Sequence, residues 1–309
     1  MRVIDIENIT FNMRNELQFV FRCEEVFRDK IAAAAVSILS ERDKKPFVCL
    51  TGPSGSGKTS TALRLKDYLN NLGVPVLLVS MDNFFVDMDK RVPEARTDWE
   101  SPLCVDIPAL VDCLEQLSRG QTVQMPWYDF CSGNRGGTRA VQGDRDAIII
   151  AEGIHMLNPL IFDRIRDRST GIYVAPRTRV ITHDDRIVKP EQIRVARRLI
   201  RDFNTRGRDL RQTVEKAQSV DRGEREYITP FKTNAEIHID SFHDYELCIL
   251  ARYLREIPQF SQELTPEYME SHGLSALYDV VQSVPPLTTD YVPRDSILRE
   301  FVGGSIYTY

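Results

Sequence analysis

Residues 47–59 contain a short apolar run, a glycine-rich turn and the start of a helical pattern, in that order. The turn satisfies G-x-x-x-x-G-K-[ST], with Gly52, Gly57, Lys58 and Thr59 in the specified positions. Glycines at this spacing let backbone N–H groups face phosphate oxygens, the lysine reaches the β- and γ-phosphates, and the threonine hydroxyl suits Mg²⁺. The pattern predicts a nucleotide-binding phosphate loop; a chance glycine-rich turn is the alternative, and the flanking strand and helix argue against it.

The composition is that of an ordinary globular chain. Its 309 residues are 42% hydrophobic and 28% charged, which favours one large α/β domain with appendages over two small domains. The net charge of -5 gives no general attraction to nucleic acid or to an anionic membrane, so we predict neither as a partner. We find no basic-then-apolar leader and no apolar run near the ~18 residues of a membrane-spanning helix.

Six cysteines are scattered along the chain without a C-x-x-C pair, and several lie inside apolar runs. This distribution is typical of reduced, buried thiols, and it predicts a cytoplasmic location. The cysteines are Cys23, Cys49, Cys104, Cys113, Cys131 and Cys248.

Two further apolar runs end in carboxylates. Residues 74–82 end in Asp82, and residues 147–153 contain Glu152 near their end. Continuous apolar runs are typical of parallel strands buried on both faces, and ligands bind outside the carboxyl ends of such strands. We therefore expect Asp82 and Glu152 to face the same crevice as the phosphate loop, with Glu152 near Mg²⁺. Asp82 could instead cap a helix or a turn, as aspartate often does.

The next segments surround this crevice. Residues 84–102 are charged and contain two prolines, which predicts a loop that closes over a substrate. Asp106 is placed to cap a helix that ends near Leu117. Residues 121–142 alternate around a glycine-rich turn and predict an antiparallel hairpin with an aromatic tip. The tip residues Trp127, Tyr128 and Phe130 are as compatible with burial as with stacking on a ring-shaped substrate.

Arginines on one face distinguish a later helix. Their spacing is i, i+3, i+4 and i+7, and two more arginines follow in a turn: Arg194, Arg197, Arg198, Arg201, Arg206 and Arg208. A salt-bridged, solvated face is one interpretation, helped by Asp202, Asp209 and Glu215. Interleaved acidic residues disfavour RNA binding. Beside a phosphate loop, we favour a lid whose guanidiniums hold transferred phosphoryl oxygens.

These segments predict an α/β fold in three parts. Residues 1–45 form an N-terminal segment with a helix over 17–40 that packs on the core. Residues 46–257 form the nucleotide-binding domain, with the lid at about 190–227. Residues 258–309 form a C-terminal extension, with a helix around 266–281, that packs on the core.

Five motifs in order resemble the uridine kinase and phosphoribulokinase family of P-loop kinases. They are the loop at 52–59, Asp82-Asn-Phe-Phe85, Pro126-Trp-Tyr-Asp-Phe130, Glu152-Gly-Ile154 and the arginine-rich stretch 198–208. Residues 296–304 look most like a bacterial uridine kinase-like branch. The resemblance covers residues 45–255 and implies a three-layer P-loop NTPase fold with a mostly parallel sheet, an aromatic-tipped β-hairpin and an arginine-rich helical lid.

The resemblance also implies roles for individual residues. The implied ATP-binding residues are Gly52, Ser54, Gly55, Ser56, Gly57, Lys58, Thr59, Ser60 and Arg208. The implied catalytic residues are Asp82, as general base, and Lys58, Arg201 and Arg206. The implied Mg²⁺ ligands are Thr59 and Glu152. Substrate binding falls to Asp82, Phe85, Glu100, Tyr128, Phe130 and Arg198. Two positions depart from nucleoside kinases, because Gly133 stands where they carry a base-reading histidine and Glu100-Ser-Pro102 stands where they carry Asp-His-Pro.

We therefore predict an ATP- and Mg²⁺-dependent kinase of a small-molecule hydroxyl, with the 5′-hydroxyl of uridine or cytidine as the leading acceptor. Two alternatives stay open: a sugar or polyol kinase similar to phosphoribulokinase, which the missing histidine favours, and a non-catalytic nucleotide-binding regulator. The sequence leaves the oligomeric state open, and a homo-oligomer is compatible with it.

Overall fold

A computed structural model of the chain describes residues 2–130 and 132–308. The strands are β1 (Val3–Asp5), β2 (Phe47–Thr51), β3 (Val76–Ser80), β4 (Thr122–Asp129), β5 (Asn134–Gln142), β6 (Ile148–Glu152), β7 (Ser169–Ala175), β8 (Arg179–Ile181), β9 (Ile187–Val188) and β10 (Ile237–Asp240). The α-helices are α1 (Ile6–Asn12), α2 (Glu16–Glu41), α3 (Lys58–Asn71), α4 (Pro93–Thr97), α5 (Ile107–Ser118), α6 (Pro159–Phe162), α7 (Pro190–Arg206), α8 (Leu210–Tyr227), α9 (Glu246–Glu256), α10 (Phe260–Glu263), α11 (Pro266–Ser271), α12 (Ser275–Ser283) and α13 (Arg299–Val302).

The central sheet has the strand order β10-β7-β2-β6-β3, and its strands are all parallel. Alternate side chains of β2 enter two hydrophobic clusters: Val48 belongs to the cluster that includes residues of α2, α3, α7 and α9, whereas Phe47 belongs to the one that includes residues of α5 and α6. Helices therefore cover both faces, which explains why every residue of β2 and β6 is buried and why both strands are apolar up to their last residue. The prediction of a three-layer α/β fold with a parallel sheet is confirmed.

The aromatic hairpin forms a separate two-stranded sheet, because β4 and β5 pair antiparallel only with each other among the described strands. The register shifts between Trp127 and Tyr128, so an irregularity re-aims the side chains at the tip. As predicted, Asp106 caps α5, with its Oδ1 accepting a hydrogen bond from the backbone N–H of Ala109 at 3.1 Å.

A second small sheet was not predicted. Residues 1–16 lack clear periodicity in the sequence, yet β1 pairs parallel with β8, which pairs antiparallel with β9. The strand β1 leads into α1 and then α2, which packs against α3. The Nη1 of Arg64 on α3 and the hydroxyl of Tyr245 donate to the buried Glu24 carboxylate on α2, at 3.1 and 2.7 Å. This polar contact fixes the N-terminal helix to the phosphate-loop helix.

Several boundaries differ from the prediction for local reasons. The helix expected around 266–281 is two helices, α11 and α12, because Gly273 between them has a φ of +68°. The loop expected at 84–102 contains the short helix α4. The strand expected to reach Asp82 ends at Ser80, and Asp82 lies in the 3₁₀ turn Met81–Phe84.

Cys49, Cys104, Cys113 and Cys248 are buried free thiols, and Cys23 is a half-buried one. Cys131, predicted to be a reduced thiol as well, lies outside the described residues. Within residues 2–130 and 132–308, no helix is long and apolar enough to cross a membrane.

Candidate active site

The phosphate loop connects β2 to α3. Gly57 immediately precedes α3 and has a φ of +82°, a conformation that a residue with a side chain rarely adopts. The loop therefore turns sharply and presents the first turn of α3, which begins at Lys58, toward the carboxyl edge of the sheet. The predicted nucleotide residues 52–60 are thus contiguous in space around one helix N-terminus, with most of them buried.

Two carboxylates lie at this edge. Glu152 is paired in register with both Leu50 of β2 and Ser80 of β3, so it stands between the two strand ends. Its Oε2 accepts from the Thr59 hydroxyl at 3.2 Å and its Oε1 from the Ser80 hydroxyl at 2.7 Å. Burial raises the pKa of both Glu152 and Asp82, and the positive charge of Lys58 opposes the rise at each.

The donor set at this edge fits Mg²⁺. Thr59 and Glu152, the two predicted metal ligands, present oxygen atoms in direct contact with each other. Oxygen ligands of this kind are what Mg²⁺ prefers in kinase sites. A cage built of protein ligands alone is not expected for this ion, and the described residues contain no group of three or more histidine, cysteine or acidic residues that forms one.

The predicted lid consists of α7 and α8, which are connected by residues 207–209. Two of its arginines donate hydrogen bonds to backbone carbonyl oxygens of the phosphate loop. Arg194 donates to the carbonyl oxygen of Ser54 at 3.2 Å and pairs with Glu224. Arg197, which is fully buried, donates to the carbonyl oxygen of Gly55 at 3.1 Å and pairs with Glu246. These guanidiniums are already paired, so they position the loop.

Arg198 differs from its neighbours on α7. Its side chain is 4% exposed, and its Nε, Nη1 and Nη2 atoms have no hydrogen-bond partner among the residues that the structure describes. Burial, followed by repulsion from Arg194, lowers its pKa to about 10. Its Cγ lies 3.3 Å from where a Cβ on Gly55 would be, so the Arg198 side chain packs against the phosphate loop. An unpaired buried guanidinium on a side chain packed there is suited to an anion.

The remaining predicted arginines gather around one carboxylate. Arg201, Arg206 and Arg208 approach Asp202 with N–O distances of 3.0, 3.4 and 3.3 Å. The salt-bridged part of the alternative interpretation therefore describes these arginines, but Asp202, around which they gather, is buried and not solvated. Arg206 still lies near enough to Asp82 for its charge to oppose the rise in the pKa of that carboxyl.

Glu100 faces the same crevice from the loop before α5. A Cβ on Gly223 of α8 would lie 2.3 Å from the Cβ of Glu100, so the glycine makes room for this contact with the lid. Burial raises the pKa of Glu100 to about 7, although Lys58 and Arg198 oppose the rise. Its Oε2 atom is buried and has no hydrogen-bond partner in the described part of the chain.

The raised pKa of Glu100 gives a stability prediction. Because the folded pKa lies above the usual 4.5, ionised Glu100 costs the folded state stability, and the cost develops as pH rises from about 4.5 through about 7. One pKa unit corresponds to about 1.4 kcal/mol. The unfolding free energy of Glu100→Gln minus that of wild type should therefore be about 2 kcal/mol larger at pH 8 than at pH 5. Urea unfolding at both pH values measures this, with the exposed Glu270→Gln as control; an equal difference at both pH values would contradict it.

The predicted acceptor residues form an aromatic cluster. Phe130 lies 5.3 Å from Phe85 and 5.0 Å from Tyr128 between ring centroids. Tyr128 is buried, whereas Phe130 is 52% exposed. The guanidinium of Arg91, a residue that the sequence did not single out, lies 4.2 Å above the ring of Trp99.

Arg91 is 2% exposed, and its Nη2 donates to the Tyr128 hydroxyl at 2.7 Å. Its Nη1 has no hydrogen-bond partner, and no carboxylate is within ion-pair distance of it, among residues 2–130 and 132–308. Sequence reasoning missed Arg91 because it lies in a charged loop without periodicity, where one basic residue carries no local signal.

Comparison with known proteins identifies the family of the chain. The sequence profile of the Phosphoribulokinase / Uridine kinase family matches residues 47–247. The chain belongs to this family. The resemblance read from the motifs is therefore confirmed, and the chain is a P-loop kinase of the uridine kinase and phosphoribulokinase type.

Curated relatives cover the same region. The uridine kinase of Listeria monocytogenes serotype 4a is 33% identical over 201 residues, which are 63% of this chain and 87% of the relative. The uridine kinase of Streptococcus pyogenes serotype M5 is 32% identical over 200 residues, 63% of this chain and 88% of the relative. A kinase from Silicibacter sp. TM1040, assigned provisionally to a fructose transport system, has a TM-score of 0.52 at 21% identity, covering 68% of this chain and 98% of that one. This last likeness concerns the fold alone.

Proposed function

We propose that this kinase transfers the γ-phosphoryl group of ATP to a hydroxyl of a small molecule. The observation that carries the proposal is the buried, unpaired guanidinium of Arg198, whose side chain packs against the phosphate loop. A buried cation without a partner is costly, and a phosphoryl group in transfer supplies the negative charge that would offset the cost. A nucleotide sensor without catalysis would not need such a donor on the lid.

In this proposal Asp82 accepts the proton of the acceptor hydroxyl. Burial raises the pKa of Asp82 above its usual value, which makes its ionised form a stronger general base. The positive charges of Lys58 and Arg206 oppose this rise and favour the ionised form. The hydroxyl oxygen then attacks the γ-phosphorus, the bond to the β,γ-bridging oxygen breaks, and ADP leaves.

Arg198 and Lys58 would neutralise the oxygens of the phosphoryl group as charge spreads over them. Arg201 and Arg206, the predicted catalytic arginines, would join them from the lid, and Arg208 would contact ATP. Thr59 and Glu152 would hold Mg²⁺, which when bound neutralises charge on the β- and γ-phosphates. Closure of the loop before α5 over the crevice would keep water away from the reacting groups.

Uridine or cytidine is the first acceptor that we propose, because the curated relatives named above are uridine kinases. Phe85, Tyr128 and Phe130 would contact the nucleoside, and Glu100 would accept hydrogen bonds from its hydroxyl groups. A cytoplasmic enzyme acting on a free metabolite, without nucleic acid or membrane partners, fits this proposal.

A sugar or polyol, plain or phosphorylated, is the second candidate acceptor. It is favoured by Arg91, whose guanidinium covers one face of Trp99 and so leaves less ring surface open to a planar base. Gly133, in place of a base-reading histidine, points in the same direction.

An acceptor panel tests the proposal. ADP production by the purified protein with ATP and Mg²⁺ is measured with nucleosides, sugars, sugar phosphates and polyols, each against a no-acceptor blank. At least one hydroxyl compound should raise the rate of ADP release well above the blank and appear as its phosphate ester. Nucleotide binding with no acceleration by any compound would instead favour the regulator.

A further inference from the structure

The segment of residues 293–302 packs against the phosphate loop, although it is far from the loop in sequence. The Cδ1 atom of Ile297 lies 3.3 Å from where a Cβ on Gly57 would be. The ring of Phe301 lies 5.0 Å below the guanidinium of Arg197, which donates to the carbonyl oxygen of Gly55. We call residues 293–302 the tail segment.

The tail segment is firmly built into the fold. Ile297, Leu298 and Phe301 are at most 1% exposed and belong to the cluster that packs under the sheet. The Nη2 of Arg299 donates to two backbone carbonyl oxygens, those of Thr289 and Val292, at 2.7 and 2.6 Å. A segment with this packing holds its side chains in fixed positions and does not act as a mobile lid.

One acidic side chain of the tail segment reaches the nucleotide site. The Ser60 hydroxyl donates to the Oε2 of Glu300 at 2.5 Å, and Ser60 is fully buried in the first turn of α3, directly after Thr59. This turn carries the partial positive charge of the helix N-terminus. The carboxylate of Glu300 beside this turn stabilises the helix. The same negative charge also reduces the positive potential that attracts nucleotide phosphates.

We propose that Glu300 is a positioning residue of the nucleotide site and that its negative charge weakens the affinity of the phosphate loop for nucleotide phosphates. Glu300 acts through Ser60 and the first turn of α3, and it does not contact the transferred group. The tail segment thereby shortens the residence of bound nucleotide, ADP included, since a weaker hold on phosphate lets the nucleotide dissociate sooner.

The sign of the effect separates this role from a purely structural one. Glu300→Gln keeps the size of the side chain and an oxygen that accepts from Ser60, but it removes the charge. An electrostatic role predicts tighter nucleotide binding in this variant. If Glu300 only holds the phosphate loop in its conformation, the variant should bind nucleotide equally well or more weakly.

The test is a calorimetric titration of the full chain with ADP and with Mg-ATP. Glu300→Gln should bind both about three- to tenfold tighter than wild type at low salt, in keeping with charge effects at helix termini. The difference should shrink at about 0.5 M salt, where charges are screened over a few ångströms. Glu267→Gln is the matched control, because Glu267 is an exposed carboxylate in the first turn of α11 and should change nothing.

Glu300→Ala is the second variant, in case the glutamine variant does not fold, and it should also bind ADP more tightly at low salt. Equal or weaker binding in a folded variant, or a tighter binding that does not depend on salt, would overturn the proposal. The inference rests on the nucleotide site of the proposed function but not on phosphoryl transfer. A wild-type chain that binds no nucleotide would contradict the proposed function, whereas normal binding unaffected by Glu300→Gln would contradict only this inference.

Discussion

Asp82→Asn should lower kcat by about 10²- to 10⁴-fold, the usual contribution of a positioned general base. Asparagine is close in size to aspartate, and it preserves the 3₁₀ turn after β3 while removing the ability to accept a proton. The affinity for ATP should be retained or should increase, because the substitution removes a negative charge near Lys58 and so does not weaken the attraction for phosphate. Initial rates with the best acceptor, together with ATP titration of the same preparation, measure both quantities.

Asp112→Asn is the matched control for this substitution, since Asp112 is an exposed aspartate on α5. It should retain the wild-type rate. An Asp82→Asn enzyme that keeps a tenth of the wild-type kcat would remove Asp82 from the role of base and would direct attention to Glu100, which shares the crevice.

Arg198→Met should lower kcat/KM by about 10³-fold, which is typical of a guanidinium that stabilises phosphoryl transfer. The same variant should be more stable than wild type by about 1 kcal/mol or more, because methionine fills much of the space without an unpaired buried charge. Loss of activity together with a gain in stability identifies a residue kept for function. Steady-state kinetics and urea unfolding give the two values.

Arg197→Met on the same helix provides the comparison. Arg197 is paired with Glu246 at a site where both side chains are fully buried, so its removal leaves an uncompensated carboxylate. That variant should lose about 3–5 kcal/mol of unfolding free energy. If Arg198→Met were destabilised to a similar degree, Arg198 would have a structural partner in solution and the argument for an anion at this place would fail.

The parts of the site that were predictable from the sequence are those with a local pattern. The loop at Gly57 and Lys58 follows from glycine spacing and the flanking strand and helix, and Glu152 follows from its place at the end of an apolar run. The fold class was predictable for the same reason, since the alternation of apolar runs and helical patterns dictates a parallel sheet.

The parts that were not predictable depend on distant partners. Spacing places Arg194, Arg197 and Arg198 on one helix face, but it does not reveal that Glu224 and Glu246 pair with the first two and leave the third unpaired. Arg91 has no periodic signal at all. The sheet formed by β1 and β8 joins segments about 175 residues apart, and short strands of this kind carry little pattern of their own.

The tail segment also has a consequence for the order in which the molecule is completed. During synthesis the phosphate loop emerges early, but Ile297 and Glu300, which pack against Gly57 and Ser60, follow more than 200 residues later. Contacts of such long sequence separation form late and slow the folding of a domain. A nascent or C-terminally shortened chain therefore carries the complete phosphate-loop motif without the support that the native loop has, and it should acquire its native affinity for nucleotide only when residues 293–302 have docked.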